Sequence, residues 1–563
     1  MSRATAFAAC VTAVIVGALP AAAGDTDSGF KTSQPPMLTP LAPGATATAI
    51  ITVGEILPGG YRFEAIPDGI SLRPRDQDSV DLYVNHETST VPFPYTPAAP
   101  TEANSQNDFD NAQVSHLILN RQSTGVLRGR LAIRSAANFQ RFCSNYLATA
   151  KEGFDRPILF TNEEAIDWVN RTGKAWPATI GADEARQAGA VVAHDTRTGK
   201  STTIWGMGRH NHENDVAVPG YGKPVVVSTD DSFVSNPAQS QFYAYIADST
   251  NALLKDGGDL WAFVSDDPAI NDYYDFPVGS SMSVSGHFVQ VPKDIATGRN
   301  PDGTDLMAAD KGFPEPPNDG TWQRDPEGKG LDGPQWVLEH WGDENGVFQF
   351  VRLEDIAYDK RPGMGNVVYI ADTGRGATSA GGNAFTSSNG RVWKMVLDPD
   401  DPTQVTSLSI LIEGDENPVK TLGEIHQPDN LETTPKSLLI QEDPGSSQQF
   451  PAGSTDPNAT TARIWRYDLT RGRTTVVAKV DQSTDEGPTD VDSAGAGNLG
   501  AWESSGIVDA SSVFGSGAFL VDVQAHTMWV EKAPGDDNVA PAGPDFTFKR
   551  EGGQLLLLRI PGV

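Results

Sequence analysis

Cysteine is almost absent from this chain: of 563 residues only Cys10 and Cys143 are cysteines. Cys10 falls inside "MSRATAFAACVTAVIVGALPAAAG", which has one early basic residue, Arg3, an apolar run, and small residues leading to Gly24. That is the build of a secretory signal over residues 1–24, cut near Ala23 or Gly24. Its removal leaves Cys143 alone, so a disulfide within one mature chain is excluded. Cys143 is then a buried inert thiol, half of an intermolecular bridge, a nucleophile or a metal ligand. The signal lacks an arginine pair, which favours the general secretion route. It is too short for a confident anchor, and no later apolar run is long enough to span a bilayer. The mature protein is therefore expected to be secreted or periplasmic, with no membrane partner. Positive charge is scarce as well, 42 basic residues against 73 acidic and a net charge of −31. A surface of that sign repels nucleic acid and offers no basic phosphate-tracking groove. It suits cation binding. Several catalytic signatures are missing: a Gly-x-Ser-x-Gly elbow beside βαβ alternation, a phosphate-cradling glycine loop, a dinucleotide fingerprint, a compact EF-hand and a Cys-His zinc pattern.

Glycine (56) and proline (40) are abundant. Short β-branched or aromatic runs alternate with Asp, Gly, Pro and Asn turns, while helical periodicity is scarce. A weak repeat runs along the chain. "LWAFV", "VWKMV", "IWRYD" and "MWVEK" each put an apolar residue before a tryptophan, at Trp261, Trp393, Trp465 and Trp529, with separations of 132, 72 and 64. The first gap reads as two of the others. "VVAHDTRTGK" at 191–200 resembles "IWRYDLTRGR" at 464–473, and "LILNRQSTG" at 117–125 extends the series. A period near 65 with strand-like content predicts an all-β, six-bladed β-propeller forming one domain over 51–563, after a Pro- and Ala-rich leader at 25–50. The Pro-, Gly- and Asp-rich stretches 295–335 and 443–460 predict long surface insertions. In a propeller, loops far apart in sequence converge at one mouth.

Seven stretches place oxygen, nitrogen or sulfur donors at the ends of apolar runs. They are Asn85-His86-Glu87; Cys143 with Glu163 and Glu164; Arg209, His210, His212 and Glu213; Asp230-Asp231; Arg352, Glu354 and Asp355; Asp429-Asn430 with Glu442-Asp443; and Glu503 with Gln524 and His526. Singly, each reads as a solvated turn. Together, carboxylates and carbonyls favour a hard cation, calcium above all outside the cell. A thiolate among carboxylates suits a softer metal such as iron. An arginine beside them is a natural clamp for a bidentate oxyanion.

In this order the motifs resemble the PhoX-type alkaline phosphatases, exported bacterial propellers. Asn85-His86-Glu87 matches an early Asn-His-Glu. Cys143 precedes Thr161-Asn162-Glu163-Glu164 as a cysteine precedes Thr-Cys-Glu-Glu. Gly208 to Glu213 is similar to Gly-Arg-Phe-x-His-Glu, Asp230-Asp231 to an Asp-Asp, and Arg352-Leu353-Glu354-Asp355 to Arg-Pro-Glu-Asp. Pro428-Asp429-Asn430-Leu431 matches Pro-Asp-Asn-Leu, and Gln524-Ala525-His526 is similar to a late Gln-His. This chain departs from the pattern at Ser144-Asn145, Asn162, His210-Asn211 and Leu353, and in its signal. The resemblance implies an iron–calcium cluster at the propeller mouth, with Cys143 on iron. It implies that Glu87, Glu164, Glu213, Asp230, Asp231, Glu354, Asp355, Asn430, Glu442, Asp443 and Glu503 share the metals. Arg352 and Glu354 are then the catalytic pair, and Arg352, Arg209, His86 and His526 contact the substrate.

The function expected is a secreted, monomeric hydrolase of small phosphate monoesters that depends on Ca²⁺, either alone or with Fe³⁺ as a second metal. Two other readings stay open: a calcium-only esterase of phytase-like or lactonase-like type, and a calcium-stabilised binding propeller without turnover.

Overall fold

A computed structural model describes residues 28–64, 66–88, 112–165, 168–170, 185–232, 237–317, 332–374, 389–416, 421–444, 450–451, 453–483, 498–526 and 552–563. The architecture is all-β and propeller-like. Four sheets are antiparallel meanders of neighbouring strands. One runs Pro67–Pro74, Ser79–His86, Gln113–Asn120 and Val126–Ile133, and the next Phe142–Ala148, Ile158–Glu163, Val191–Asp195 and Lys200–Ile204. A nine-stranded sheet joins a meander starting at His212–Ala217 to one starting at Leu353–Tyr358, edge to edge through Ser283–Gln290 and Gln404–Glu413. The other two meanders start at Pro428–Thr433 and Glu503–Asp509.

The strands that open these meanders pack each against the next, and Glu503–Asp509 returns to Pro67–Pro74, which closes a ring. Buried runs such as Val225-Val226-Val227 and Val367-Val368-Tyr369-Ile370 fit strands covered on both faces. The core lies between adjacent sheets: Leu82, Leu117, Leu520 and Leu555 join first and last, and Leu439, Ile464, Val521 and Leu556 fill the preceding interface.

The segment expected to be a leader contributes strands. Thr46–Thr52 pairs with Gly552–Arg559 in the last sheet, and Leu38–Pro40 with Arg473–Val480 in the sheet before it. The sequence repeat has a structural basis. "LILNRQSTG", "VVAHD", "VWKMV" and "IWRYD" all lie on third strands of their meanders. Trp261 lies instead on a fourth strand, Asp259–Ser265. The 132-residue gap to Trp393 therefore spans one step lengthened by an excursion, not two repeats. That excursion includes the strand Ser283–Gln290 and the helix Pro334–Glu344. Trp529 lies outside the described residues, as do the expected signal and parts of both expected insertions.

Candidate functional site

The innermost strands all begin at the same mouth, and most are bulged near their start. Register shifts fall at Pro67/Ile70, Phe142/Asn145, His212/Asp215, Leu353/Ile356 and Pro428/Leu431. Each bulge re-aims the second residue of its strand. Those residues are Asp68, Cys143, Glu213, Glu354 and Asp429, and the last sheet supplies Glu503. The residues just before three of these strands, Ile66, Arg141 and Gln427, have φ of +47°, +34° and +51°. A β-branched residue at positive φ is strained, so packing and hydrogen bonds must hold the turn.

The second strands hold those turns. His86 Nδ1 lies 3.1 Å from the Glu64 carbonyl. Glu163 accepts from Gln140 N at 3.0 Å, Asp230 from Asn211 N at 3.1 Å, Asp372 from Arg352 N at 3.0 Å, and Glu442 from His426 N at 2.8 Å. Trp393 and Trp465 donate their indole N–H to Asp372 and Glu442 in turn. Because side chains alternate along an extended chain, the residue after each of these anchors faces the other way. Four of those next residues are acidic: Glu87, Glu164, Asp231 and Asp443. One residue before the anchors, Asn85, Asn162 and Gln441 donate to backbone carbonyls of the neighbouring innermost strand.

The result is a cavity of about 180 Å³ lined by Asp68, Glu87, Arg141, Cys143, Glu164, Arg352, Glu354, Asp429, Asp443, Glu503, Ser505, Gln524 and His526. Four overlapping sets have donor atoms within 4.8 Å of one another: Asp68, Glu87 and Cys143; Cys143, Glu164 and Glu213; Glu213, Glu354 and Asp429; Asp429, Asp443 and Glu503. Shared members link them into one arc. Cys143 donates its S–H to Asp68 Oδ2 at 2.8 Å. Gln524 donates to Asp68 and Glu87, at 3.1 and 3.0 Å.

The arc carries far more negative than positive charge, and the proton affinities reflect that. Burial first, then Asp68, pushes Glu87 up to about 8. Burial and neighbouring carboxylates also raise Glu213 and Glu354 well above the carboxylate range. Glu164, Asp429 and Glu503 are raised in the same direction, burial being the largest cause. Burial, then Asp68 and three glutamates, raises the Cys143 thiol. Glu213 Oε2 and Glu503 Oε2 are buried without a hydrogen-bond partner among the described residues. Buried acids in this density fit cations, which would hold them ionised.

Arg352 edges the arc. Its Nε and Nη2 donate to the two oxygens of Asp231 at 2.8 and 2.7 Å, and Nη2 lies 2.7 Å from Glu354 Oε1. Burial opposes its charge, but Asp231 and Glu354 more than offset that. Arg141 lies 3.9 Å from Glu87 and 3.8 Å from Glu164, within ion-pair range.

The fold is similar to that of Pseudomonas fluorescens PhoX. That structure, solved in complex with vanadate, a transition-state analogue, aligns over 95% of this chain and 98% of its own at a TM-score of 0.54 and 14% identity. A PQQ-bound aldose sugar dehydrogenase from Streptomyces coelicolor aligns over 92% of this chain and 99% of its own, at 10% identity and a TM-score of only 0.29. No family model and no curated protein matches the sequence.

Of the residues singled out from sequence, the cavity gathers Glu87, Cys143, Glu164, Arg352, Glu354, Asp443, Glu503 and His526, and Glu213 joins the arc. Glu354 sits among the metal-compatible donors, with Glu213 and Asp429. Asp231 clamps Arg352. The structure places the others elsewhere. His86 and Glu442 are turn anchors, and Glu442 is also locked to Arg463 at 2.8 Å. Asp230 anchors its own turn and faces a separate small cavity. Asp355 accepts from Leu431 N and Asn214 on the bulge's other face. Asn430 lies beneath the arc, bonded to Ser144 and Ser505. Arg209 is fully buried 3.5 Å from Asp305, stacked over Trp205, and contacts no part of the cavity.

The cavity also holds Asp68, Arg141 and Ser505, which carry no motif in the sequence, and Asp429 and Gln524. Asp68 hides in Pro67-Asp68-Gly69, which reads as a turn. Its likeness to Pro428-Asp429-Asn430 was the available signal. Gly69 is required there, since a Cβ would lie 2.2 Å from the Asn145 nitrogen on the adjoining strand.

Proposed function

We propose that this protein is a secreted, monomeric, metal-dependent phosphatase acting on phosphate monoesters at the propeller mouth. Its blades number six when the nine-stranded sheet is read as two blades joined at their outer strands. The observation that carries the reading is the arc of buried and half-buried carboxylates around Cys143 with Arg352 at its edge. The fold's similarity to a phosphatase solved with vanadate supports it.

The donor chemistry fits calcium on the oxygen-only sets, Glu213, Glu354 and Asp429 or Asp429, Asp443 and Glu503. The sets containing Cys143 fit iron. Bound there, such cations would neutralise phosphoryl oxygens and lower the pKa of water. The protein's own groups orient the ester. Asp231 and Glu354 fix the Arg352 guanidinium, so its charge is in place before the phosphoryl group arrives, and little reorganisation is needed. Arg141, held by Glu87 and Glu164 across the arc, adds a second cation for the dianion. Cys143 must give up its proton to bind metal, and Asp68 Oδ2, 2.8 Å away, is the acceptor in place.

Hydrolysis of an aryl phosphate by the mature protein, with calcium and after chelation, tests this. Calcium-dependent turnover is expected. A folded, metal-loaded sample that leaves aryl phosphates intact refutes the phosphatase reading.

A further inference from the structure

A chain of hydrogen bonds runs beneath the arc from Asp68 to Glu213 and takes one residue from each of five innermost strands. Ser505 Oγ donates to Asp68 Oδ1 at 2.6 Å and lies 3.1 Å from Asn430 Oδ1, so its one hydrogen serves both acceptors in a three-centre bond. Asn430 Nδ2 donates to Ser144 Oγ at 3.1 Å, and Ser144 Oγ donates to Glu213 Oε1 at 2.7 Å. All five residues are buried.

The links differ in reach. Ser505 to Asp68, Ser505 to Asn430 and Ser144 to Glu213 each join neighbouring strands of the ring. Asn430 to Ser144 does not. Among the innermost strands, Pro428–Thr433 packs chiefly against Leu353–Tyr358 and Glu503–Asp509, and Phe142–Ala148 against Pro67–Pro74 and His212–Ala217. The bond between them therefore crosses the axis of the ring. Close packing does not supply this tie, because Ser144 and Asn430 both border a channel of about 200 Å³ between the innermost strands. With open space on that side, hydrogen bonds hold the two side chains in place. The backbone is fixed at both ends of the crossing. Asn85 Nδ2 donates to the carbonyls of Cys143 and Ser144 at 2.8 and 3.1 Å, and Leu431 N to Asp355 Oδ2 at 2.8 Å.

On the reading that the sets containing Cys143 hold iron, we infer that Asn430 is a positioning residue for that cation. Its bond across the axis holds Asp68 and Glu213 at a set separation, and with them the two donor sets that share Cys143. Asp68 belongs to the set with Glu87 and Cys143, and Glu213 to the set with Cys143 and Glu164. The chain ends on one oxygen of each carboxylate. Ser505 takes Asp68 Oδ1 and Ser144 takes Glu213 Oε1, which leaves Glu213 Oε2 without a hydrogen-bond partner among the described residues and open to a cation. Neutral donors of this kind orient a carboxylate and leave its charge for the metal. The set of Asp429, Asp443 and Glu503 shares no carboxylate with the chain.

The test is Fe³⁺ affinity, measured by competition with a chelator, together with the thiolate-to-iron charge-transfer absorption. Both are read in mature protein carrying Asn430→Ala, Ser144→Ala or the pair. Losing a bond that orients a metal ligand costs roughly 10–100-fold in affinity, so each single variant should weaken iron by that factor and shift the band. Both substitutions break the same crossing, so their effects should not multiply in the double variant. Calcium on Asp429, Asp443 and Glu503 should be retained. Folded single variants with unmodified iron affinity and an unmoved band overturn the proposal, and so do effects that multiply. Ser144→Ala removes one hydroxyl beside an open channel, so its affinity and band decide the matter even where Asn430→Ala does not fold. Unmodified protein that takes no iron refutes the iron reading of Cys143 and this proposal with it. Iron held equally by every variant refutes this proposal alone.

Discussion

Stripping the mouth of cations should make the protein's stability fall as pH rises, the reverse of an ordinary salt-bridged fold. Glu87 shows the size of the effect. Its carboxyl goes from 4.5 in the open chain to about 8 in the fold, because burial and Asp68 oppose its charge. Between those values the folded state holds a proton that the unfolded state has released. Stability therefore declines with rising pH across that window and is fully present only below 4.5. A tenfold change in proton affinity is worth ~1.4 kcal/mol, so Glu87 alone costs the cation-free fold about 4 kcal/mol at pH 8. With an unfolding entropy of ~2.1 cal/mol/K per residue, a chain of this length changes by roughly 1 kcal/mol per degree. The expected loss is then about 4 °C in Tm from this one group. Bound cations remove the cause, because they hold the carboxylates ionised without penalty, and they add the stabilisation of any ligand that binds only the folded state. The assay is thermal melting between pH 5 and 8, with calcium and after exhaustive chelation. A chelated protein whose Tm is level or rises across that range refutes the reasoning. So does a calcium-loaded protein that declines just as steeply.

Arg352→Lys keeps a charge but loses the two-pronged bond to Asp231, and aryl phosphate turnover should fall ~100-fold or more with the fold intact. Wild-type rates in that variant would remove Arg352 from the site. Cys143→Ser should lose iron on elemental analysis while retaining calcium, since the sets without Cys143 are untouched; an unchanged iron content would make the thiol inert. Arg209→Ala strands Asp305 in the interior and should cost ~3–5 kcal/mol in denaturant unfolding. The KM for aryl phosphate should be unchanged, because Arg209 is a packing residue and not a substrate ligand. Gly69→Ala drives a Cβ into the backbone of the adjoining strand and should lower both Tm and metal content.

The donor doublets were legible in the sequence, but their division of labour was not. His86-Glu87, Glu163-Glu164, Asp230-Asp231 and Glu442-Asp443 each end a second strand, and alternation sends the two members to opposite faces. The first member accepts or offers a hydrogen bond at the turn before the innermost strand. The second faces the mouth or clamps Arg352. A reading that treats a doublet as one site assigns His86, Asp230 and Glu442 to chemistry when they carry structure. The tryptophan repeat was visible for a related reason, because Trp393 and Trp465 support the anchors Asp372 and Glu442. Trp261 broke the count because it sits one strand further out, beside an excursion that no periodicity announces. Asp68 was missed because a bulge, not a motif, points it inward. Bulges depend on pairing between strands distant in sequence, and one strand's composition does not carry them.

The same bulges explain why a mouth so rich in acid can exist in a folded chain. Five of the innermost strands leave their ladders where the donor residue turns inward, and side chains replace the missing backbone partners. Asn85 bonds to the carbonyls of Cys143 and Ser144, Asn162 to those of His212 and Glu213, and Thr373 to that of Pro428. These are neutral donors on backbone acceptors, so they hold the strands without drawing on the carboxylates. The scaffold is in this way satisfied by amides and anchors, separately from the carboxylates of the arc. Asn162 stands where the resembled family has a cysteine, and its amide makes two of these bonds. The departure therefore adds a strand-to-strand tie in this chain and takes no donor from the arc around Cys143.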